Sequence, residues 1–518
     1  MSAQTASLVA SLTSIPALGA GAIPDLDLAW ALEWRADLLG DPQPGNSAAL
    51  SNRTSIYTLR SCAEGGSGPD APAERRTRLE AAAAAHDFVD LEAARDRDPT
   101  LLERIPAHQR IVSWHGPAAP LAELRRRFEA MATTPARWYK LIPAAESPSD
   151  AIEPLALLHS LGRDDVIAFS SGEAGTWSRL LAPHLGAPII FAQAQTEPAA
   201  PGQLTLSTLR DDYGLPELRP VSKLFGVAGR PVLHSLSPRL HNLMFRKHGL
   251  EWLYVPFHVP AFGDFWLDVV ESERLDGLGF ELCGLSVTAP FKEIALAVAG
   301  AVSPRAEHIG AANSLAKRGR VWEAECTDPD GVVAPLLARG LNLNGMRAAV
   351  VGAGGAGRAA LAGLSARGAE VTLVNRSRQR GRRVAIELGV NFTLLKDFEP
   401  ARYDVLVNAT PLGATPLGAA PLAAGEADLP FDPHALEASA VVVDLAYRHD
   451  GETPLVRSTR ESGRVAIDGK EVLLHQAVTQ FEWMNNQEFD LELAREALGL
   501  APIDPYAPLA PLAQRPSA

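Results

Sequence analysis

AAVVGAGGAGRAALAGL, residues 348–364, reads as a strand, a glycine turn and a helix in unbroken order. Four small apolar residues precede Gly352, Gly354 and Gly357, and an Ala/Leu-rich run follows, so G-x-G-x-x-G stands in the context that gives the string meaning. Glycines let a backbone approach a pyrophosphate, and the first amides of the following helix supply N–H donors and a favourable dipole. The turn formed by Gly352, Ala353, Gly354, Gly355, Ala356 and Gly357 therefore predicts a Rossmann-type dinucleotide-binding domain.

The next predicted strand, EVTLVNRSRQR at 370–380, ends 23 residues past Gly352, where an NAD site would carry a carboxylate for the ribose hydroxyls. Asn375 and Arg376 stand there instead, with Ser377, Arg378 and Arg380 behind them. Guanidinium groups match a phosphate, so NADP is the expected cofactor. A merely solvated basic loop is the competing reading.

Working outward, the first 220 residues alternate short apolar runs with Ala/Leu/Arg-rich stretches: SLVASLT (7–13), IYTLR (56–60), FVDLE (88–92), RIVSW (110–114), RWYKLIP (137–143), DVIAFS (165–170) and PIIFAQ (188–193). That rhythm is of repeated βα units. Glu33, Arg60, Glu92, His115 and Lys140 fall at or near strand ends at intervals of 27, 32, 23 and 25 residues. One such residue per unit is what a barrel needs to gather chemistry at its C-terminal mouth, although a buried Glu33–Arg60 ion pair or a strand-capping His115 would fit the same spacing. Lys140 is the sole lysine before residue 223 in a stretch otherwise charged by arginine. Arginine solvates as well but cannot lose a proton to attack a carbonyl, so a retained lysine suggests amine chemistry.

A length of 518 residues implies several domains, and 47% hydrophobic and 21% charged residues are the balance of a soluble globular chain. The net charge of −13, with no long basic run, argues against nucleic acid. Cys62, Cys283 and Cys326 are too dispersed for a zinc site or a disulfide framework, and no leader or 18-residue apolar span is evident, so a cytoplasmic protein without a membrane partner is expected.

From about 224 to 485 the chain resembles shikimate dehydrogenase through GVAGRPVLHSLSPRLHN, GLSVTAPFKE, AANSL, TDPDGV, GAGGAGRAA, NRSRQR, VNATPLG, DLAYRHDGETPL and HQAVTQFEW, in that family's order. The resemblance implies that Ser235 and Ser237 bind the substrate carboxylate. Thr288, Asn313, Tyr447 and Gln476 then surround the ring hydroxyls, and Lys292 with Asp328 forms the catalytic pair. A lysine beside a carboxylate suits ketone reduction, which needs a proton at the oxygen as hydride arrives. Cys326 and the Lys470-Glu471 pair depart from the family pattern.

Residues 6–215 resemble type I 3-dehydroquinate dehydratase, a (β/α)8 barrel, through EWRADLL, TLRSCAEGG, FVDLE, IVSWHG, WYKLIP, SGEAGTWSRL and APGQ. This resemblance implies an imine at Lys140, proton transfer by His115 with Glu92 holding the imidazole, and substrate binding by Glu33, Arg60, Arg179 and Gln203. Gly116-Pro117 and Ala199 are departures. The expected architecture is α/β: a TIM barrel at 1–220, then a two-domain α/β dehydrogenase with its substrate domain at 221–332 joined by helices from 470–500, an NADP-binding domain at 333–469, and a loose tail at 501–518. The expected activities are consecutive, 3-dehydroquinate to 3-dehydroshikimate and on to shikimate with NADPH. A catabolic quinate enzyme using NAD, a degenerate barrel or a non-catalytic NADP sensor are the rivals, and the oligomeric state is left open.

Overall fold

The computed structural model describes residues 4–14, 23–42, 53–195, 198–413, 429–449 and 451–502, so most of the expected tail lies outside the described residues. Internal contacts divide the chain into two compact units, Met1–Gly226 with Gly249–Leu282, and Val227–His248 with Cys283–Ala518.

The first unit is built on eight parallel strands: β1 (Ser7–Leu12), β2 (Ala31–Arg35), β3 (Thr54–Thr58), β4 (Phe88–Glu92), β5 (Arg110–Gly116), β6 (Trp138–Pro143), β7 (Val166–Ala168) and β8 (Ile189–Gln193). Each pairs with its sequence neighbour from β1 to β7, and β1 also pairs with β8, giving a nearly closed barrel. Both faces of these strands are covered, which is why they read as continuous apolar runs rather than as alternation. Polar residues inside it are confined to a few positions, and the β5–β6 register sets Ser113 beside Lys140.

Two further pieces of this unit matter below. The helix α1 (Thr176–Leu181) follows β7, and the strand β9 (Trp252–His258), which pairs with Lys223–Gly229 at the edge of a six-stranded sheet, falls by internal contacts in the same compact unit as the barrel. Trp177 of α1 packs on Phe257 of β9 with ring centroids 5.4 Å apart. Sequence periodicity cannot reveal such a long-range contact.

In the second unit, β10 (Glu281–Val287), β11 (Ser314–Arg318) and β12 (Val321–Glu325) form an antiparallel run in which Ser286 faces Ser314. Helices α2 (Lys292–Val298) and α3 (Asp328–Ala338) follow β10 and β12. The dinucleotide-type domain has six parallel strands: β13 (Arg347–Val351), β14 (Glu370–Asn375), β15 (Asn391–Leu394), β16 (Val405–Asn408), β17 (Val441–Asp444) and β18 (Val465–Ile467). They lie in the order β15-β14-β13-β16-β17-β18, so the order reverses at β13, the switch point beside which such sheets bind ligands. Val350, Leu373 and Val407 pack with Leu361 and Leu364 of α4 (Gly355–Ser365) on one face. Ala349, Leu406 and Val442 meet Phe431 and Leu455 on the other.

Helix α5 (Arg378–Leu388) follows β14, and the chain returns as α6 (Gly469–Asn485) and α7 (Leu491–Ala497). The departure at Glu471 has a structural purpose: buried on α6, it forms a two-pronged ion pair with Arg495 of α7 and thereby ties the two helices together.

Candidate active sites

Lys140 points into the barrel with its side chain only 3% exposed, ion-paired to Asp90 and 4.7 Å from the centre of the Phe191 ring. Burial opposes ionisation of Asp90, but Lys140 and Arg60, together with the Lys140 and Ser113 hydrogen bonds, hold its carboxyl below the usual carboxylate range. Arg60 Nη2 lies 3.2 Å from Asp90, while Nη1 donates to Glu64 at 3.2 Å and to His115 Nδ1. Burial pushes His115 well below the usual imidazole value, and the surrounding cations Arg60, Lys140, Arg35 and Arg179 push the same way. His115 is therefore neutral at physiological pH, the form a general base requires.

The carboxylate at His115 is Glu64, which corrects the expectation for Glu92. The backbone N–H of His115 donates to Glu64 Oε2 at 2.9 Å, and the ring Nδ1 lies 3.4 Å from the same oxygen. Glu92 instead accepts from the Ser61 backbone at 2.8 Å and hydroxyl at 2.6 Å, and pairs with Arg75 at 3.4 Å. Burial and the charge of Glu92 push the Glu64 carboxyl up to about 7, against the pull of Arg60. Its signal in the sequence was its place four residues after Arg60, on a turn rather than on a strand.

Around this centre, Glu33 accepts from Ser11 Oγ at 2.5 Å and Thr58 Oγ1 at 2.8 Å, and Gln203 donates to Ser11 at 3.1 Å. The conceivable Glu33–Arg60 pair does not form; Arg60 is spent on Glu64, His115 and Asp90. Arg179 has no carboxylate partner among the described residues: its Nε lacks any partner, Nη2 reaches the Pro201 carbonyl at 3.4 Å, and burial lowers it to about 10. A buried cation without an anion is the clearest vacancy for a substrate carboxylate. Arg35, passed over in the sequence although it lies two residues from Glu33, clasps Asp37 at 2.7 and 2.8 Å and donates to the Ala199 carbonyl at 2.8 Å. At the departures, a Cβ on Gly116 would come within 2.2 Å of the Trp114 ring, and Ala199 offers its backbone carbonyl to Arg35.

In the second unit, Lys292 heads α2 and Asp328 heads α3, and the two form an ion pair with side-chain exposures of 14% and 10%. Asn313 steers Asp328, donating to Oδ1 at 2.8 Å and to Thr327 Oγ1 at 3.0 Å. Gln480 was missed: one turn beyond the half-buried Gln476 on α6, it accepts from Ser286 at 2.7 Å and donates to Ser314 at 2.7 Å and the Asn313 carbonyl at 3.1 Å. The Ser237 amide donates to Ser235 Oγ at 3.2 Å, and the Leu236 amide to Tyr447 Oη at 3.4 Å. Burial raises the Tyr447 phenol, against hydrogen bonds from Leu236 and Ser235. Thr288 turns its methyl to Gly229, where a Cβ would sit 2.2 Å away. Cys326 is fully buried, and burial pushes its thiol up, so the departure there adds packing and no reactive thiolate.

The residues of the glycine turn fit a dinucleotide. Gly352 has φ +117°, and a Cβ on Gly357 would lie 2.1 Å from the Gly352 carbonyl, so both positions require glycine. Open space faces Gly354, and α4 starts without a side-chain cap, leaving amides for a pyrophosphate. Gly355 abuts Lys292, whose Cβ would be 2.9 Å from its own, so the turn and the ion pair share one cleft. Arg376 and Arg378 are exposed, with no ion pair among the described residues. Arg380 is engaged, with the Ala353 carbonyl at 3.2 Å and Glu293 at 3.1 Å; Asn375 donates to the Ser377 carbonyl at 3.1 Å.

Fold and sites thus define a class: an α/β protein joining a lysine-centred barrel to a dinucleotide-type dehydrogenase. Residues 23–219 match the family described as type I 3-dehydroquinase, 227–315 the shikimate dehydrogenase substrate binding domain, and 336–420 the shikimate / quinate 5-dehydrogenase family. A shikimate dehydrogenase (NADP(+)) of Acidiphilium cryptum is 38% identical over 262 residues, covering 50% of this chain and 89% of the relative. The bifunctional 3-dehydroquinate dehydratase/shikimate dehydrogenase, chloroplastic, of Arabidopsis thaliana is 29% identical over 370 residues, covering 66% of this chain and 57% of that protein. A solved shikimate 5-dehydrogenase of Thermus thermophilus, in complex with NADP(H) and shikimate, aligns over 53% of this chain and 98% of its own at 32% identity, with a TM-score of 0.45. The chain belongs to the shikimate dehydrogenase family, and carries a type I 3-dehydroquinase domain ahead of the dehydrogenase. Among the described residues no helix is long and apolar enough to cross a membrane.

Proposed function

We propose that the barrel dehydrates 3-dehydroquinate to 3-dehydroshikimate and that the second half reduces this product to shikimate with NADPH, as consecutive steps of aromatic amino-acid biosynthesis. The observation that carries the first step is a buried lysine, Lys140, beside a neutral His115 and an Arg179 that has no anion among the described residues. Arg179 binds the substrate carboxylate, while Glu33, Arg60 and Gln203 hold ring hydroxyls. The Lys140 amine adds to the ketone carbon and water leaves, forming a protonated imine. His115 then takes the adjacent proton, the electrons move into the imine, and the imidazolium returns a proton to the departing hydroxyl. Glu64 steadies the imidazolium while it exists. Hydrolysis frees Lys140 with the product.

In the second half, Ser235 and Ser237 take the carboxylate, and Thr288, Asn313, Tyr447 and Gln476 the hydroxyls. The residues 352–357 turn would hold NADPH, with Arg376 and Arg378 taking its 2′-phosphate, and the bound cofactor would supply hydride. Lys292 gives the ketone oxygen its proton, and Asp328 orients the ammonium. The three free cysteines support a reducing compartment, and we place the protein in the cytoplasm with no nucleic-acid partner.

A coupled assay tests the reading. Supplied with dehydroquinate and NADPH, the chain yields shikimate with one NADPH consumed per product. Accumulation of dehydroshikimate with NADPH untouched removes the second activity, and unchanged dehydroquinate removes the first.

A further inference from the structure

All six residues of α1 (Thr176–Leu181) are buried. An outer helix of a free-standing barrel keeps a polar face to water, whereas every side chain of TWSRLL is covered, and Trp177 is 0% exposed with no partner for its Nε1–H among the described residues. An indole N–H left unpaired opposes burial, so the ring is held there by packing. The packing comes from beyond the barrel. Phe257, itself 0% exposed, lies 5.4 Å from Trp177 and continues through Phe265 at 5.2 Å to Phe262 at 6.0 Å. Gly226 also packs closely on Phe257, since a Cβ there would lie 2.5 Å from its ring. Two polar contacts flank the stack: Glu173, just before α1, with His258 at 3.2 Å, and Glu153 with Arg274 at 2.6 Å.

Two residues after Trp177, the same short helix carries Arg179. The guanidinium is 4.5 Å from the Phe169 ring centre and among the described residues makes one hydrogen bond, at 3.4 Å, so its side chain does little to fix the helix. A six-residue helix has little stability of its own and takes its position from what it packs against. We propose that Phe257, although outside the barrel strands, is a positioning residue for the dehydratase: through Trp177 it sets the place of Arg179 and so the affinity for the substrate carboxylate. The proposal rests on the reading of Arg179 as the carboxylate anchor.

The test is a double-mutant cycle in the full chain, with Phe257→Leu, Trp177→Leu and both together, followed by dehydratase kinetics. Each single change raises KM for dehydroquinate about tenfold with kcat within about twofold, the pattern of lost ground-state binding rather than of a smaller folded fraction. The double variant is no worse than either single one, because both break one contact. Phe257→Tyr, which keeps the ring, restores KM. Should Phe257→Leu fail to fold, His258→Ala probes the same seam and raises KM in the same direction. Arg179→Ala separates the two readings: if it raises KM while the Phe257 and His258 variants do not, or if the cycle is additive, the positioning role falls and the anchor stands. An Arg179→Ala variant with unchanged KM overturns the anchor itself.

Discussion

Lys140 and Lys292 are each ion-paired to an aspartate, yet the barrel and the dehydrogenase half treat them in opposite ways. Lys140 and Asp90 are sealed, at 3% and 1% side-chain exposure, among Arg35, Arg60, Arg179 and an aromatic ring. Lys292 and Asp328 stand at 14% and 10% on two helix starts, next to a glycine turn shaped for a cofactor. An amine that bonds covalently to its substrate gains from enclosure, because bulk water would hydrolyse the imine before the dehydration is complete. An ammonium that only exchanges a proton needs access and an orienting carboxylate. The same ion pair thus serves two chemistries, distinguished by enclosure.

Crossed substitutions break the comparison most forcefully. Lys140→Ala lowers dehydratase turnover by about 10⁵-fold, since no other group supplies the electron sink, and leaves shikimate oxidation within about twofold of wild type. Lys292→Ala does the reverse, with a loss of about 10³-fold confined to the dehydrogenase. Separate assays of the two activities on each variant check both, and a shared loss would make the two halves one functional unit.

A smaller effect sharpens the barrel side. Glu64→Gln lowers dehydratase kcat by about 10²-fold and abolishes the pH limb near 7. With the Glu64 carboxyl at about 7, the wild-type rate falls as pH drops through that value and the carboxylate gains a proton; glutamine has no proton to gain. Glu92→Gln leaves the limb in place. A limb lost with Glu92 rather than Glu64 returns the imidazole-holding role to Glu92.

The smallest effect belongs to the cofactor side. Arg376→Ala with Arg378→Ala weakens NADPH binding about tenfold, read by fluorescence titration, and leaves NADH binding unchanged. Equal weakening of both nucleotides points to a pyrophosphate contact instead.

The two halves also differ in how much the sequence disclosed. The nucleotide domain was legible because its signals are local: a strand, the residues 352–357 turn and a helix, followed by β14 ending at Asn375. In the barrel, seven of the eight strands were equally plain, and Lys140 and His115 could be located by unit spacing, whereas Arg179 came from the family resemblance alone. The partner of His115 could not. Glu64 reaches it from a turn folded tightly on Arg60, where a Cβ on Gly66 would come 2.3 Å from the Arg60 carbonyl. Strand-end counting put Glu92 at the mouth and the family resemblance gave it the imidazole, whereas its carboxylate meets Ser61 and Arg75. Gln480 was hidden for a related reason: helical periodicity sets it one turn from Gln476, and only packing decides which amide faces Ser286 and Ser314. The cover that Phe257 gives Trp177 joins residues 80 apart, beyond any local signal.

Borohydride reduction in the presence of dehydroquinate, followed by peptide mass spectrometry of the full chain, tests the contrast between the two lysines most directly. A stable substrate adduct on Lys140, with Lys292 unmodified in the same digest, is the predicted result. No adduct on Lys140, or an adduct on Lys292, contradicts it.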